Sequence, residues 1–284
     1  MKNGEASVTA AELESRAPAD RSTAAVGGWH WAEWGCEFLG TALLLLGGLS
    51  GLFLNFSPSS GVPGAVPSES TRLLFTGLIL GASGLAITFS PIGRRSGAHL
   101  NPAVSLAFWC RRHLHSHDLA GYLVAQFCGA LVGTGAAWLL WGSSARQLNL
   151  GATAPGTGLS ALGIAGTEAA MTGVLILGIL LAVSSRATAR LTPLVAWGLV
   201  SILVWQGAEW TGASLNPARS LAPALLAPQT ADLWAYLIGP LAGSLLAVAV
   251  YATCFSLKTR TGKLLHDPSY PSTLATSLPT APRG

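Results

Sequence analysis

Two short strings carry the chemistry in this chain, Asn101-Pro102-Ala103 and Asn216-Pro217-Ala218. Asn is a strong helix N-cap, and Pro at the first helical position needs no N–H partner, so each string reads as the start of a helix. Each follows an extended stretch, Gly97-Ala98-His99 before the first and Gly212-Ala213-Ser214 before the second. Carbonyls in such stretches have no helical partner and can accept hydrogen bonds from a passing solute. If the two turns meet, the Asn101 and Asn216 amides form a central pair of donors with acceptors on either side. A neutral hydroxylic molecule can hand its hydrogen bonds along that path. A cation meets two converging positive helix ends and must shed water. A proton relay breaks where a central water has to accept from both amides.

Arg219 stands three residues past Asn216, where the first string has Val104. An unpaired Arg is expensive inside a membrane, so this one should face water and mark the path. Glu37 and Glu168 are also intramembrane acids. As carboxylates at equivalent places they can accept bonds from free backbone N–H groups of the two loops; proton coupling is the competing use. His113, His115 and His117 alternate in a loop and read as a solvated polar segment rather than a metal site. Cys36, Cys110, Cys128 and Cys254 show no CxxC spacing and read as packing thiols.

These residues need elements to hold them at depth. Of 284 residues, 50% are hydrophobic and only 10% charged, against about 25% charged in a soluble domain. The 34 Gly and 10 Trp suit close-packed membrane helices with aromatic anchors. The reading is an all-α membrane protein. Six apolar segments can span a bilayer, at about 33–56, 72–92, 119–141, 162–184, 192–210 and 233–256. Two more, about 99–109 and 214–226, are too short to cross and read as re-entrant half-helices. Residues 1–28 and 258–284 read as tails, the last part, from 266, rich in Pro, Ser and Thr. The pI near 9.1 comes from scattered cations without a basic stripe, so nucleic acid is not an expected partner.

Six spans put both termini and three loops on one side. That side collects thirteen of the 16 Lys and Arg, against Arg72 and Arg146 opposite. The imbalance predicts cytoplasmic termini for a multi-pass protein of the cell membrane. Trp29, Trp31, Trp34, Trp138, Trp141 and Trp234 fall near span ends, as interfacial anchors should.

The chain also repeats itself. The pattern ExxxTxxL occurs at Glu37–Leu44 and Glu168–Leu175, the Asn-Pro-Ala strings follow, and Gly129xxxGly133 then answers Gly239xxxGly243. The halves run over 29–142 and 162–257, joined by a connecting loop at 143–161. Three spans per half, an odd number, insert the second half upside down, with the site at the pseudo-twofold near mid-membrane.

SGAHLNPAVS (96–105) and GASLNPARS (212–220), with the ExxxTxxL pair, resemble the aquaporin or major intrinsic protein family over about residues 33–256. The resemblance implies six helices plus two half-helices, a homotetramer with one pore per subunit, and passive flow with no cofactor. It also implies a narrow filter containing Arg219. Ungapped comparison with the family pattern places the other filter positions at Gly81, Val204 and Ala213, with Leu80 or Ala82 taking the first place if one gap intervenes. This set lacks the aromatic and His of strict water channels, and Ser220 replaces the Asp of glycerol-type members. The combination is similar to the nodulin-26-like branch and its bacterial relatives. The expectation is a channel for water and small neutral solutes, glycerol-like or metalloid acids such as arsenous, boric or silicic acid. A strict water channel and a secondary active transporter using Glu37 or Glu168 are the alternatives. No arrangement of residues suggests an enzyme or a resident metal.

Overall fold

The computed structural model describes residues 29–156, 158–267 and 269–270. The tail at 1–28 and the stretch 271–284 lie outside the described residues. Eight longer helices carry the body: α1 (Trp31–Phe56), α2 (Glu69–Phe89), α3 (Pro102–Cys110), α4 (Ser116–Trp141), α5 (Ala161–Ala182), α6 (Thr192–Thr211), α7 (Pro217–Leu226) and α8 (Leu233–Val250). Among the described residues there is no β-strand. The six long helices match the six expected spans and the two short ones the half-helices. Five of the six are long and apolar enough to cross a membrane. The exception, α6, is 20 residues long but carries Trp197, Trp205, Gln206, Glu209 and Trp210.

Local sequence sets the helix ends. Ser68 and Ser160 cap α2 and α5 by accepting from Thr71 N–H and Gly163 N–H. The half-helices start at Pro102 and Pro217, each capped by the preceding Asn. Helix pairs then bury each other through missing side chains. α4 lies on α1 where a Cβ on Gly129 would come 2.2 Å from the Phe38 carbonyl oxygen, and one on Gly133 2.2 Å from that of Ala42. α8 lies on α5 in the same way, with Gly243 against the Ala169 carbonyl oxygen and Gly239 against that of Ala165. Only glycine permits backbones this close, and close approach is how membrane helices gain dispersion contacts without a hydrophobic drive.

The two Gly pairs are one helical turn out of register with each other. Tyr122 donates to the Ser96 carbonyl at 2.6 Å and Tyr236 to the Thr211 carbonyl at 2.8 Å, each acceptor lying five residues before its Asn. With the tyrosines as equivalents, Gly129 corresponds to Gly243, and both sit against the residue after the repeat's Glu. The order of motifs expected for an inverted repeat holds, and the Gly-to-Gly pairing shifts by four residues.

The largest buried cluster joins the halves: Val104 and Phe108 of α3 meet Leu175, Ile176 and Ile179 of α5 and Val204 of α6. Leu264, from the segment after α8, belongs to the same cluster. The start of the expected tail, through residue 267, therefore packs on the body.

Candidate functional site

The site is built by two loops with nearly identical backbone. Gly97, Ala98 and Leu100 have φ of 99°, 55° and 53°; Gly212, Ala213 and Leu215 have 79°, 45° and 58°. Left-handed geometry at Ala and Leu is strained and persists only when surroundings enforce it. The enforcing groups are the two buried acids. Glu37 accepts from His99 N–H at 2.9 Å and Leu100 N–H at 2.7 Å. Glu168 accepts from Ser214 N–H at 2.8 Å and Leu215 N–H at 2.9 Å. Gln126 donates to Glu37 at 2.8 Å and Thr211 to Glu168 at 2.7 Å. With N–H groups turned to the carboxylates, the loop carbonyls face the other way.

At mid-depth the two turns touch. Asn101 Nδ2 donates to the Leu215 carbonyl at 2.8 Å, and Asn216 Nδ2 to the Leu100 carbonyl at 2.9 Å. Each Oδ1 caps its own half-helix, Asn101 through Ala103 N–H at 2.9 Å and Asn216 through Ala218 N–H at 3.0 Å. Each amide so retains one N–H, and both Asn residues line a cavity of ≈ 100 Å³. That is room for several waters at ~10–15 Å³ each. Ala103 and Ala218 are fully buried behind the turns, and the Ala103 carbonyl accepts from Ser244 at 2.7 Å. Pro102 and Pro217 occupy the first turn of each half-helix.

A second cavity of ≈ 50 Å³ continues beyond Arg219, lined by Val204, Ala208, Gly212 and Ala213 among others. Leu80 and Arg219 line both cavities and so mark their junction. Gly81 lines the larger cavity beside Leu80. A Cβ there would come 2.8 Å from Trp197 Cδ1 and 2.9 Å from the Trp197 carbonyl oxygen, so the glycine lets α2 close on α6. The adjacent residue, about 100° around the helix, is Leu80. Val204 and Ala213 line the smaller cavity and Arg219 lines both.

Of the expected lining carbonyl residues, Ala98, His99 and Ser214 line the larger cavity and Gly212 and Ala213 the smaller. Gly97 differs. Its carbonyl accepts from Leu264 N–H at 3.0 Å and is not offered to a solute. His99 Nε2 bonds the Gly262 carbonyl at 2.8 Å, and its ring stacks on Phe108 with centroids 4.8 Å apart. The Lys263 ammonium donates to the Arg94 carbonyl at 2.7 Å. Burial lowers the Lys263 pKa to about 8, against the opposing pull of Glu33 and Asp267.

The connecting loop takes part as well. Arg219 Nη1 donates to the Gly151 carbonyl at 2.7 Å, and Thr153 Oγ1 to Ser220 Oγ at 2.9 Å. Neither this loop nor the segment after α8 has a periodicity or motif to signal such a place; Gly151, at φ 75°, is the one residue type that hints at a turn.

The alternating histidines separate. His113 is buried, and a Cβ on Gly262 would lie 2.5 Å from its carbonyl oxygen. His115 stacks on His117. His30, His117 and Asp118 bring their ligand atoms within 4.8 Å of one another. The Asp118 carboxylate already receives His30 Nδ1 at 2.8 and 2.9 Å and Trp34 Nε1 at 3.0 Å. The cluster ties the start of α1 to the start of α4 through hydrogen bonds that a metal would have to displace. All four cysteines are free thiols.

The chain matches the model of the major intrinsic protein family over residues 28–251. The chain belongs to the major intrinsic protein family. Aquaporin-4 of Mus musculus is similar, 32% identical over 81% of this chain and 70% of its own. Nodulin-26 of Glycine max is 30% identical over 76% of this chain and 74% of its own. The X-ray structure of the aquaglyceroporin from Plasmodium falciparum shares the fold, with a TM-score of 0.67, 24% identity, and coverage of 80% of this chain and 97% of that one. As a major intrinsic protein the chain is a membrane channel for water and small solutes and not an enzyme.

Proposed function

We propose that this chain conducts water and small uncharged solutes passively through the path formed by the two cavities, and that it excludes ions and protons. The observation carrying this reading is the pair of Asn amides held against each other's loop, each with one N–H left for the lumen. Two half-helix N-termini add positive potential at the same depth. Arg219 adds a full charge at the junction, where a cation has already lost hydration.

Four positions form the filter: the first at Gly81 or its neighbour Leu80, then Val204, Ala213 and Arg219. Three are apolar and none is aromatic, which favours solutes of glycerol or undissociated metalloid-acid size (arsenous, boric, silicic) over water alone. Gly81 and Leu80 both line the larger cavity, and where the Leu80 side chain enters the path it narrows this filter. A transporter mechanism lacks its coupling group. Glu37 and Glu168 each accept two loop N–H groups and one side-chain donor, and neither lines either of the two cavities. The basic face carrying residues 94–95, 111–112 and 258–263 is the cytoplasmic one, the membrane is the plasma membrane, and the assembly is a homotetramer.

Stopped-flow assays on proteoliposomes, one solute at a time, test the filter. Water together with glycerol, urea or arsenite should pass, and Leu80→Trp should abolish the larger solutes while keeping roughly half or more of the water flux. Water flux without any of those solutes in the parent protein would reject the wide filter.

A further inference from the structure

The lining of the larger cavity includes a residue from outside the spans. Leu264 lines it together with Thr88, His99, Ile179 and Pro193. The backbone carrying Leu264 is fixed on both flanks. Leu264 N–H donates to the Gly97 carbonyl, and the Gly262 carbonyl receives His99 Nε2, so the segment binds the very loop that carries Asn101. Lys263 between them is 1% exposed; its stem lies against Gly97 and its ammonium is spent on the Arg94 carbonyl. Further anchors are the Arg94–Asp267 ion pair at 3.1 Å, Arg260 N–H to the Val183 carbonyl at 3.0 Å and Arg111 to Thr259 at 3.2 Å.

The second repeat is covered differently: the connecting loop packs on it, with Ala154 and Thr153 against Gly212 and the Gly151 carbonyl on Arg219. At the position equivalent to His99 stands Ser214, whose hydroxyl bonds the Asn216 carbonyl and receives Ser220. The two ends are therefore built by unlike pieces of chain, and at the His99 end the piece is the segment after α8, which puts Leu264 on the larger cavity. Burying an ammonium is costly, and a docking that uses one is more than a passive tail requires.

We propose that residues 261–267 are a wall of the permeation path, and that Leu264 is a second width-determining residue, at the opposite end from Arg219. His99 and Lys263 are its positioning residues. Leu264 presents only methyl groups, so it sets the diameter of the mouth without offering hydrogen bonds, and it limits flux while Arg219 discriminates charge. The proposal rests on the channel reading above.

The test is unit water permeability, flux divided by folded protein in the liposomes, for the parent, Leu264→Ala, Leu264→Trp and Leu264→Cys. Parent flux above empty liposomes tests the channel reading; the ratio of variant to parent tests this proposal. Pore width controls flux, so Leu264→Ala should raise it roughly two- to five-fold and Leu264→Trp should lower it below about one-fifth. Ion exclusion should remain unchanged in both. A charged methanethiosulfonate reagent should block Leu264→Cys and spare the parent with its native thiols. A residue of purely structural importance would lower folded yield and thermal midpoint without moving unit permeability in opposite directions for Ala and Trp. Equal unit permeability in the Ala, Trp and reagent-treated Cys variants would overturn the proposal. Leu264→Cys changes volume least and keeps the test intact should either larger change impair folding.

Discussion

Replacing Arg219 with Val opens the junction to cations and protons while water continues to pass. The side chain lines both cavities and is aimed by its bond to the Gly151 carbonyl, so its charge sits beside the path rather than in lipid. A unit charge ~5 Å from a passing cation, at an effective dielectric of ~20, opposes it by about 3 kcal/mol, or roughly a hundredfold in occupancy. The half-helix termini remain in the variant, so exclusion falls by up to about that factor rather than vanishing. Proteoliposomes loaded with a pH-sensitive dye and clamped with a potassium gradient report both leaks. Leakage equal to the parent's would remove Arg219 from the charge barrier and leave the loop dipoles as its only source.

The second large effect is structural. Glu37→Ala or Glu168→Ala leaves two buried backbone N–H groups without acceptors and also removes the acceptor of a Gln126 N–H or of the Thr211 hydroxyl. An unsatisfied buried donor costs about 1–3 kcal/mol and hydrogen bonds to charged groups contribute about 1.5–3. Each substitution should therefore cost roughly 3–6 kcal/mol, a large share of a typical fold's 5–15. With its carboxylate gone, one loop loses the acceptors of two N–H groups and keeps the Asn–carbonyl bond across the turns and a hydroxyl contact from Ser96 or Thr211 to hold its left-handed residues. Thermal unfolding in detergent, followed by the loss of monodisperse protein, measures the effect. A variant with the parent's thermal midpoint but abolished gradient-driven uptake would revive proton coupling and contradict the structural role given to these acids.

The parts legible in the sequence are those in which a residue type is nearly forced by backbone physics. Asn-Pro announces a helix start wherever it stands, and a Glu within an apolar span requires a partner. The meeting of the two turns follows once the inverted repeat is recognised; the bonds from Asn101 to the Leu215 carbonyl and from Asn216 to the Leu100 carbonyl do not. Counting along the chain was less reliable where one residue decides a face. Gly81 and Leu80 both line the larger cavity, with the glycine also against Trp197, and spacing cannot say which of two neighbours presents its face to the path. The Gly pairs slipped by one turn for a related reason, since glycines four apart on one helix look alike to the sequence. The loop through Gly151 and the segment through Leu264 were not legible at all. Both are irregular backbone whose position comes from main-chain hydrogen bonds to Arg219, Gly97 and His99, and main-chain bonds leave no residue signature.

The central claim is that two half-helices enclose a wet, ion-tight path. Osmotic shrinkage of liposomes holding the purified protein, with proton conductance recorded in the same preparation, measures it most directly. The account predicts water flux proportional to protein density, weakly dependent on temperature, with proton conductance no greater than that of empty liposomes. Water flux indistinguishable from protein-free liposomes, or flux accompanied by proton current, would contradict it.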